Sequence, residues 1–167
     1  GPLADEDNFM TSRYGPNGLE TVTVLAGLRN YLKGIAEVDY AKGCDIVDAG
    51  WPATEILPAP MSEQEKQGIA EAVAKAGESD VIIAVLGEDE YRTGESRSRT
   101  SLDLPGRQQQ LLEALHATGK PVILVLINGQ PLTVNWANAY IPAILESWFP
   151  GCQGGTVIAE TLFGEHN

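Results

Sequence analysis

The run Val81-Ile82-Ile83-Ala84-Val85-Leu86 contains no polar residue and is only as long as a strand. Without apolar/polar alternation it reads as a strand buried on both faces, the condition of a parallel sheet. The chain beyond it keeps the same rhythm. A helix is expected from about residue 106 to 117, with Leu111, Leu112 and Leu115 inward and Gly119 as its stop. Strand 122–127 comes next, then a short helical or irregular piece around 132–137, strand 143–148, and a helix over 156–163 ended by Gly164. Strands alternating with helices imply right-handed crossovers. The expected fold class is α/β: a mainly parallel β-sheet with helices on both faces, an α/β sandwich.

The first half is less regular. Leu19, Val22, Leu25, Ala26, Leu28 and Leu32 have helical spacing over 17–33, and Gly34 is a natural stop. Residues 36–42, alternating around Val38 and Tyr40, read as a short strand. Pro52, Pro58 and Pro60 make 46–61 an irregular surface segment. Ser62 and Glu65 form a capping-box pattern that opens a helix running to about Ala76, with Gly77 beyond it.

In a parallel sheet every strand's C-terminal end lies on one edge, the edge where open α/β sheets bind ligands. Three sequence-distant loops therefore meet there: 87–103, with Glu88, Asp89, Glu90, Glu95 and two Ser-Arg repeats; the turn Asn128-Gly129-Gln130-Pro131; and Pro150-Gly151-Cys152-Gln153-Gly154-Gly155. The first loop has few apolar anchors and is expected to be loosely held.

Composition narrows what this rim can bind. At 167 residues the chain suits one domain with a sizeable core, 1–167, and a net charge of −12 supplies no cationic stripe for nucleic acid. No apolar run approaches membrane-spanning length, so no membrane insertion is expected, and no leader-like segment opens the chain. Cys44 and Cys152 lack metal-type spacing and read as free thiols. His116, in the last turn of a helix, and His166 offer no ligand pair. Neither a metal nor a cofactor is expected.

Carboxylates are then the first candidates for chemistry. Glycoside hydrolysis needs two carboxyl groups flanking the scissile bond, one of them protonated. Glu88, Asp89, Glu90 and Glu95 are the acids available. The competing reading is a solvated acidic loop whose members pair with Arg92, Arg97 and Arg99. The loop 150–155 precedes a helix N-terminus and could meet an oxygen-rich ligand, but it has neither a Walker nor a dinucleotide pattern. Its glycines also suit a plain strand-to-helix turn. Trp148 and Phe149 suit either a sugar ring or a neighbouring helix.

The motifs taken together resemble the second, α/β-sandwich domain of glycoside hydrolase family 3, the β-glucosidase and β-xylosidase family. The likeness runs through Gly1-Pro2-Leu3-Ala4-Asp5, Ser98-Arg99-Thr100-Ser101-Leu102-Asp103-Leu104-Pro105, Gly119-Lys120-Pro121, Asn128-Gly129, Trp148-Phe149-Pro150-Gly151 and Leu162-Phe163-Gly164-Glu165. It implies a retaining enzyme acting on a β-glucoside or oligosaccharide, periplasmic or secreted, with its Asp nucleophile on an upstream (β/α)8 barrel that these residues do not include. In some members the general acid is a Glu two residues after the tyrosine of the loop matching 87–103, and in others it comes from the barrel. Here Thr93 holds that place, so Glu95 is the candidate acid. Glu88, Arg97, Arg99, Trp148 and Gln153 are the substrate-binding candidates. In the family a strand of the same sheet precedes the residues matching Gly1–Asp5. The sheet is thus expected to lack its first strand, and the isolated chain is expected to be inactive and to self-associate. Two other readings stand beside this one. The first is a stand-alone carbohydrate-binding or scaffold module without catalysis. The second, a flavodoxin-like regulator, lacks a phosphate loop and a phosphoacceptor aspartate.

Overall fold

The computed structural model describes residues 1–8, 10–16, 18–57 and 59–166. In chain order the elements are α1 (Val24–Tyr31), α2 (Ala53–Ile56), α3 (Glu63–Glu78), β1 (Ile82–Gly87), α4 (Gln108–His116), β2 (Val122–Ile127), α5 (Asn135–Tyr140), β3 (Ala143–Glu146) and α6 (Gly154–Leu162). The three strands are parallel in the order β1-β2-β3, with Ile82 beside Val122, Gly87 beside Ile127, and Ile123 beside Ala143.

The two-residue period of the strands divides the core. Ala84, Leu86, Leu124 and Leu126 point to one face, where Ile69 and Ala72 of α3 and Leu111, Leu112 and Leu115 of α4 cover them. Val85, Val125 and Ile127 point to the other, under Val24 and Leu28 of α1, Ile158 and Ala159 of α6, and Leu3 and Met10. Both faces of β1 and β2 are therefore dry, which is why these strands read as unbroken apolar runs.

Local signals held where their partners are local. Ser62 Oγ accepts from Glu65 N (3.1 Å) and Ser62 N donates to Glu65 Oε2 (2.6 Å), closing the capping box of α3. That helix passes through Gly77 and ends only where Ser79 turns extended, donating its N–H to Ala76 O. His116 closes α4 with its ring edge-on to Trp136 (5.5 Å). Both cysteines are free thiols, and burial pushes the Cys44 thiol up to about 12.

Distant partners shifted the rest. The expected helix over 17–33 begins at Val24, capped by Thr23 Oγ1; Asn17 lies outside the described residues. Residues 18–23 stay non-helical because Val22 bonds the far end of the chain: its N–H donates to Cys152 O (2.8 Å) and its C=O accepts from Gly155 N (3.0 Å). No strand forms over 36–42. That segment packs Val38 and Tyr40 on one core cluster and Ala41 on the other without joining a ladder. The proline-rich segment contains the single turn α2, and Pro58 lies outside the described residues. Strand β3 stops at Glu146, since Trp148 adopts φ +51° and turns the chain away.

Among the described residues β1 has a strand on one side only. Its other flank is partly closed by a side chain. Gly87 N donates to Gln108 Oε1 (2.8 Å) and Gly87 O accepts from Gln108 Nε2 (2.7 Å), so a fully buried amide pairs as a neighbouring strand would. Farther down, Ile83, Val85, Val38 and Ala41 line a cavity of about 110 Å³ along that flank.

Candidate active-site rim

At the C-terminal edge the chain leaves β1 through Glu88, whose N–H extends the ladder to Ile127 O (2.9 Å). Glu88 is 0% exposed. Its Oε1 accepts from Gly129 N (3.3 Å) and Gln130 N (3.2 Å), and its Oε2 from Gln130 Nε2 (3.1 Å) and Arg99 Nη1 (2.8 Å). The loops after β1 and β2 are thus fastened through one carboxylate. Burial pushes that carboxyl above its ordinary range, against the pull of Arg99 and the bonds from Gln130 and Gly129.

Arg99 continues the chain of charges. Its side chain is 2% exposed, and its Nε and Nη2 donate to Glu55 Oε1 (3.2 and 2.9 Å) while Nη2 also reaches Asp103 O (2.6 Å). Thr100 Oγ1 donates to Glu55 Oε2 (3.0 Å). The Trp51 ring lies beneath two guanidinium groups, Arg92 at 5.0 Å and Arg99 at 5.5 Å, and Arg92 is itself bonded to Asp89. Such planar cations over an indole combine packing with electrostatic attraction. Nearby, Arg107 donates to Glu65 (3.1 Å) and Ala59 O (3.0 Å) beside Asp48 (3.5 Å). Polar anchors therefore supply what the loop lacks in apolar ones.

The remaining candidates stand on the surface. Glu95, Arg97 and Gln153 are exposed and Trp148 is 49% exposed. The Glu95 carboxylate and the Arg97 guanidinium have no partner among the described residues. Trp148 N donates to Glu146 Oε1 (3.1 Å), and Thr156 Oγ1 reaches Gln153 Oε1 (3.4 Å). Ser96 (φ +61°), next to Glu95, and Trp148 are the two non-glycine residues in the left-handed region among those described. Residues there are costly to hold and gather where a chain must present a side chain. Phe149 packs inward instead: a Cβ on Gly129 would fall 2.4 Å from its ring and 2.9 Å from Thr93 Oγ1.

The structure thus joins Glu88 to Arg99 and leaves Glu95, Arg97, Trp148 and Gln153 open to solvent. Trp51, Glu55 and Gln108 do not stand out in the sequence, and Gln130 does so only as part of a rim turn. The one available signal was the number of arginines in a loop next to buried strands, since a buried guanidinium requires counter-charges.

The protein is thus a parallel α/β sandwich with an acid-bearing rim at its strand ends. The family model "Glycosyl hydrolase family 3 C-terminal domain" matches residues 1–167, and the chain belongs to that family. It is 41% identical to a periplasmic beta-glucosidase of Salmonella typhimurium, over 100% of this chain and 23% of the relative. It is 39% identical to a beta-xylosidase of Formosa agariphila, over 100% of this chain and 22% of the relative. Among solved structures, a β-glucosidase from Erythrobacter marinus superposes with a TM-score of 0.81 at 37% identity, covering 98% of this chain and 23% of that one. The chain therefore spans between a fifth and a quarter of these relatives' length.

Proposed function

We propose that residues 1–167 form one domain that completes the active site of a β-glucosidase-like enzyme, periplasmic or secreted, whose nucleophilic Asp lies on a preceding (β/α)8 barrel. The substrate class is terminal β-linked glucose. The observation that carries this reading is the contrast within one loop: Glu88 and Arg99 are buried and bonded, while Glu95 is exposed and its carboxyl has no partner among the described residues. The names of the relatives, a glucosidase and a xylosidase, support the reaction class.

In this scheme the barrel Asp attacks the anomeric carbon as Glu95 passes its proton to the departing glycosidic oxygen. The Glu95 carboxylate then takes a proton from the water that displaces the Asp and releases the sugar. Arg97, Trp148 and Gln153 contact the substrate, Trp148 by stacking. Glu88 and Arg99 act through the loop root they fasten.

The test uses the longer polypeptide carrying the barrel, with Glu95→Gln. The variant should lose turnover of alkyl β-glucosides by about 10²-fold or more. It should retain cleavage of 2,4-dinitrophenyl β-glucoside, whose phenolate leaves without a proton, and azide should speed that reaction by replacing water. Aryl β-xylosides run in parallel report the sugar preference. The 167-residue chain alone should be inactive, because a retaining site needs both carboxyl groups about 5 Å apart. Glucoside turnover by the chain alone, abolished by Glu95→Gln, would overturn the scheme. Sugar binding by a chain whose barrel-linked form is inert would instead establish a binding module.

A further inference from the structure

Glu95 is gripped by its backbone, while its carboxylate has no partner among the described residues. Its N–H donates to Tyr14 Oη (3.0 Å) and its C=O accepts from Arg13 Nη1 (3.2 Å). The Arg13 guanidinium lies over the Tyr14 ring at 5.4 Å, so the two gripping side chains brace each other. Gly94 (φ +97°) lets the loop approach: a Cβ there would sit 3.0 Å from Tyr14 Oη and 3.4 Å from Arg13 Cδ. On the other side Ser96 holds its left-handed turn.

The gripping segment is itself anchored. Gly15 N donates to Ser12 O (2.7 Å) and Tyr14 N to Ser12 Oγ (3.2 Å), forming a tight turn. At its start Met10 is fully buried, and Met10 O accepts from Gly151 N (2.7 Å) in the loop that follows Trp148. One short segment therefore ties the Glu95 loop to the β3–α6 loop and, through Met10, to the core.

From this geometry we infer that Tyr14 is a positioning residue for Glu95, with Arg13 as its brace. The inference rests on the reading of Glu95 as the general acid. With both backbone groups of Glu95 fixed, only its own side-chain torsions remain to be ordered when substrate arrives, and proton transfer gains from a donor already placed. A merely structural contact would slow every substrate alike. A positioning contact slows most the substrates that need the proton.

Tyr14→Phe keeps the ring and its stacking on Arg13 and removes only the acceptor. In the barrel-bearing polypeptide, kcat/KM for an alkyl β-glucoside should fall about three- to tenfold, the size of one lost hydrogen bond. The kcat/KM for 2,4-dinitrophenyl β-glucoside, which reports only the first step, should change by less than about twofold, and hydrogen exchange at the Glu95 amide should speed up. Arg13→Gln serves as the second variant and should show the same split. The tie lies at the surface, so an unchanged thermal midpoint should accompany these effects. If Glu95→Gln shows the leaving-group split and Tyr14→Phe slows both substrates equally or neither, the positioning role is overturned and the acid assignment stands. If Glu95→Gln shows no split, the acid assignment fails and the inference fails with it.

Discussion

Removing the charge of Arg99 isolates two carboxylates that the fold has taken out of water. Arg99→Met keeps much of the side chain's bulk and deletes the guanidinium that bonds Glu88, Glu55 and Asp103 O. The exposures of the three side chains are 0%, 2% and 9% for Glu88, Arg99 and Glu55, so solvent cannot stand in for the lost partner. Breaking a pair this deeply buried costs about 3–5 kcal/mol, most of it the stranded charge rather than the worth of the pair. For a domain of this size that amounts to about 6–20 °C in the unfolding midpoint. The penalty should also depend on pH, with a definite sign. Burial already raises the Glu88 carboxyl, and loss of Arg99 raises it further. A carboxyl raised in the folded state favours folding below its unfolded pKa and loses that contribution as pH rises through the folded value. The variant should therefore lie closer to the parent at pH 5 than at pH 8. Urea unfolding of both proteins at the two pH values measures this. A loss below about 1 kcal/mol at pH 8 would refute the stranded-charge argument. A penalty equal at both pH values would refute the protonation step.

Other outcomes rest on the packing and the caps. Gly27 and Gly155 bring α1 and α6 into backbone contact, and a Cβ on Gly155 would fall 2.0 Å from Thr23 O; Gly155→Ala should cost about 1–3 kcal/mol or more by calorimetry, and a neutral result would show that the helices slide freely. Glu65 is pushed up by burial but pulled further down by its bonds from Ser62 and Arg107, so its net shift is downward, and its contribution should vanish as pH falls through the lowered folded value. Ser62→Ala, which removes half of that capping box, should cost about 1 kcal/mol at pH 7 and less in acid, as read by urea midpoints. The chain alone, with the outer edge of β3 unpaired among the described residues and Ile144 exposed beside it, should self-associate as concentration rises; light scattering that reports a monomer throughout would contradict this.

How far the sequence could be read depended on how far away each residue's partner lies. Strands β1 and β2 were legible because burial on both faces leaves no polar position in 82–86 or 122–127. The capping box was legible because its two members sit within one turn. Residues 18–23 were not, because the carbonyl and amide that hold Val22 extended belong to Cys152 and Gly155. The segment 36–42 showed a true alternation, since Val38 and Tyr40 do face the core, but alternation records burial and says nothing about a hydrogen-bonded neighbour. At the rim the loop and its charged residues were legible, while the pairing was not. Nothing in the composition of 46–61 announces that Glu55 and Trp51 receive Arg99.

The same burial that hid the pairing sorts the acids of the rim by what they can do. A general acid that becomes a base in the second half of the reaction has to give its proton to one oxygen and take another from incoming water. Glu88 cannot: both its oxygens accept bonds from Arg99, Gln130 and Gly129, and none of it reaches the surface. Asp89 is engaged with Arg92 and the Tyr91 amide, and Glu55 with Arg99 and Thr100. These carboxylates exert their influence by fixing where the loop begins and ends. Glu95 stands on the same loop with its backbone tied and its carboxyl open, so it can exchange protons with both leaving group and water without breaking a bond that holds the fold. That combination favours it for the proposed role over acids that are nearer the sheet and held by their partners.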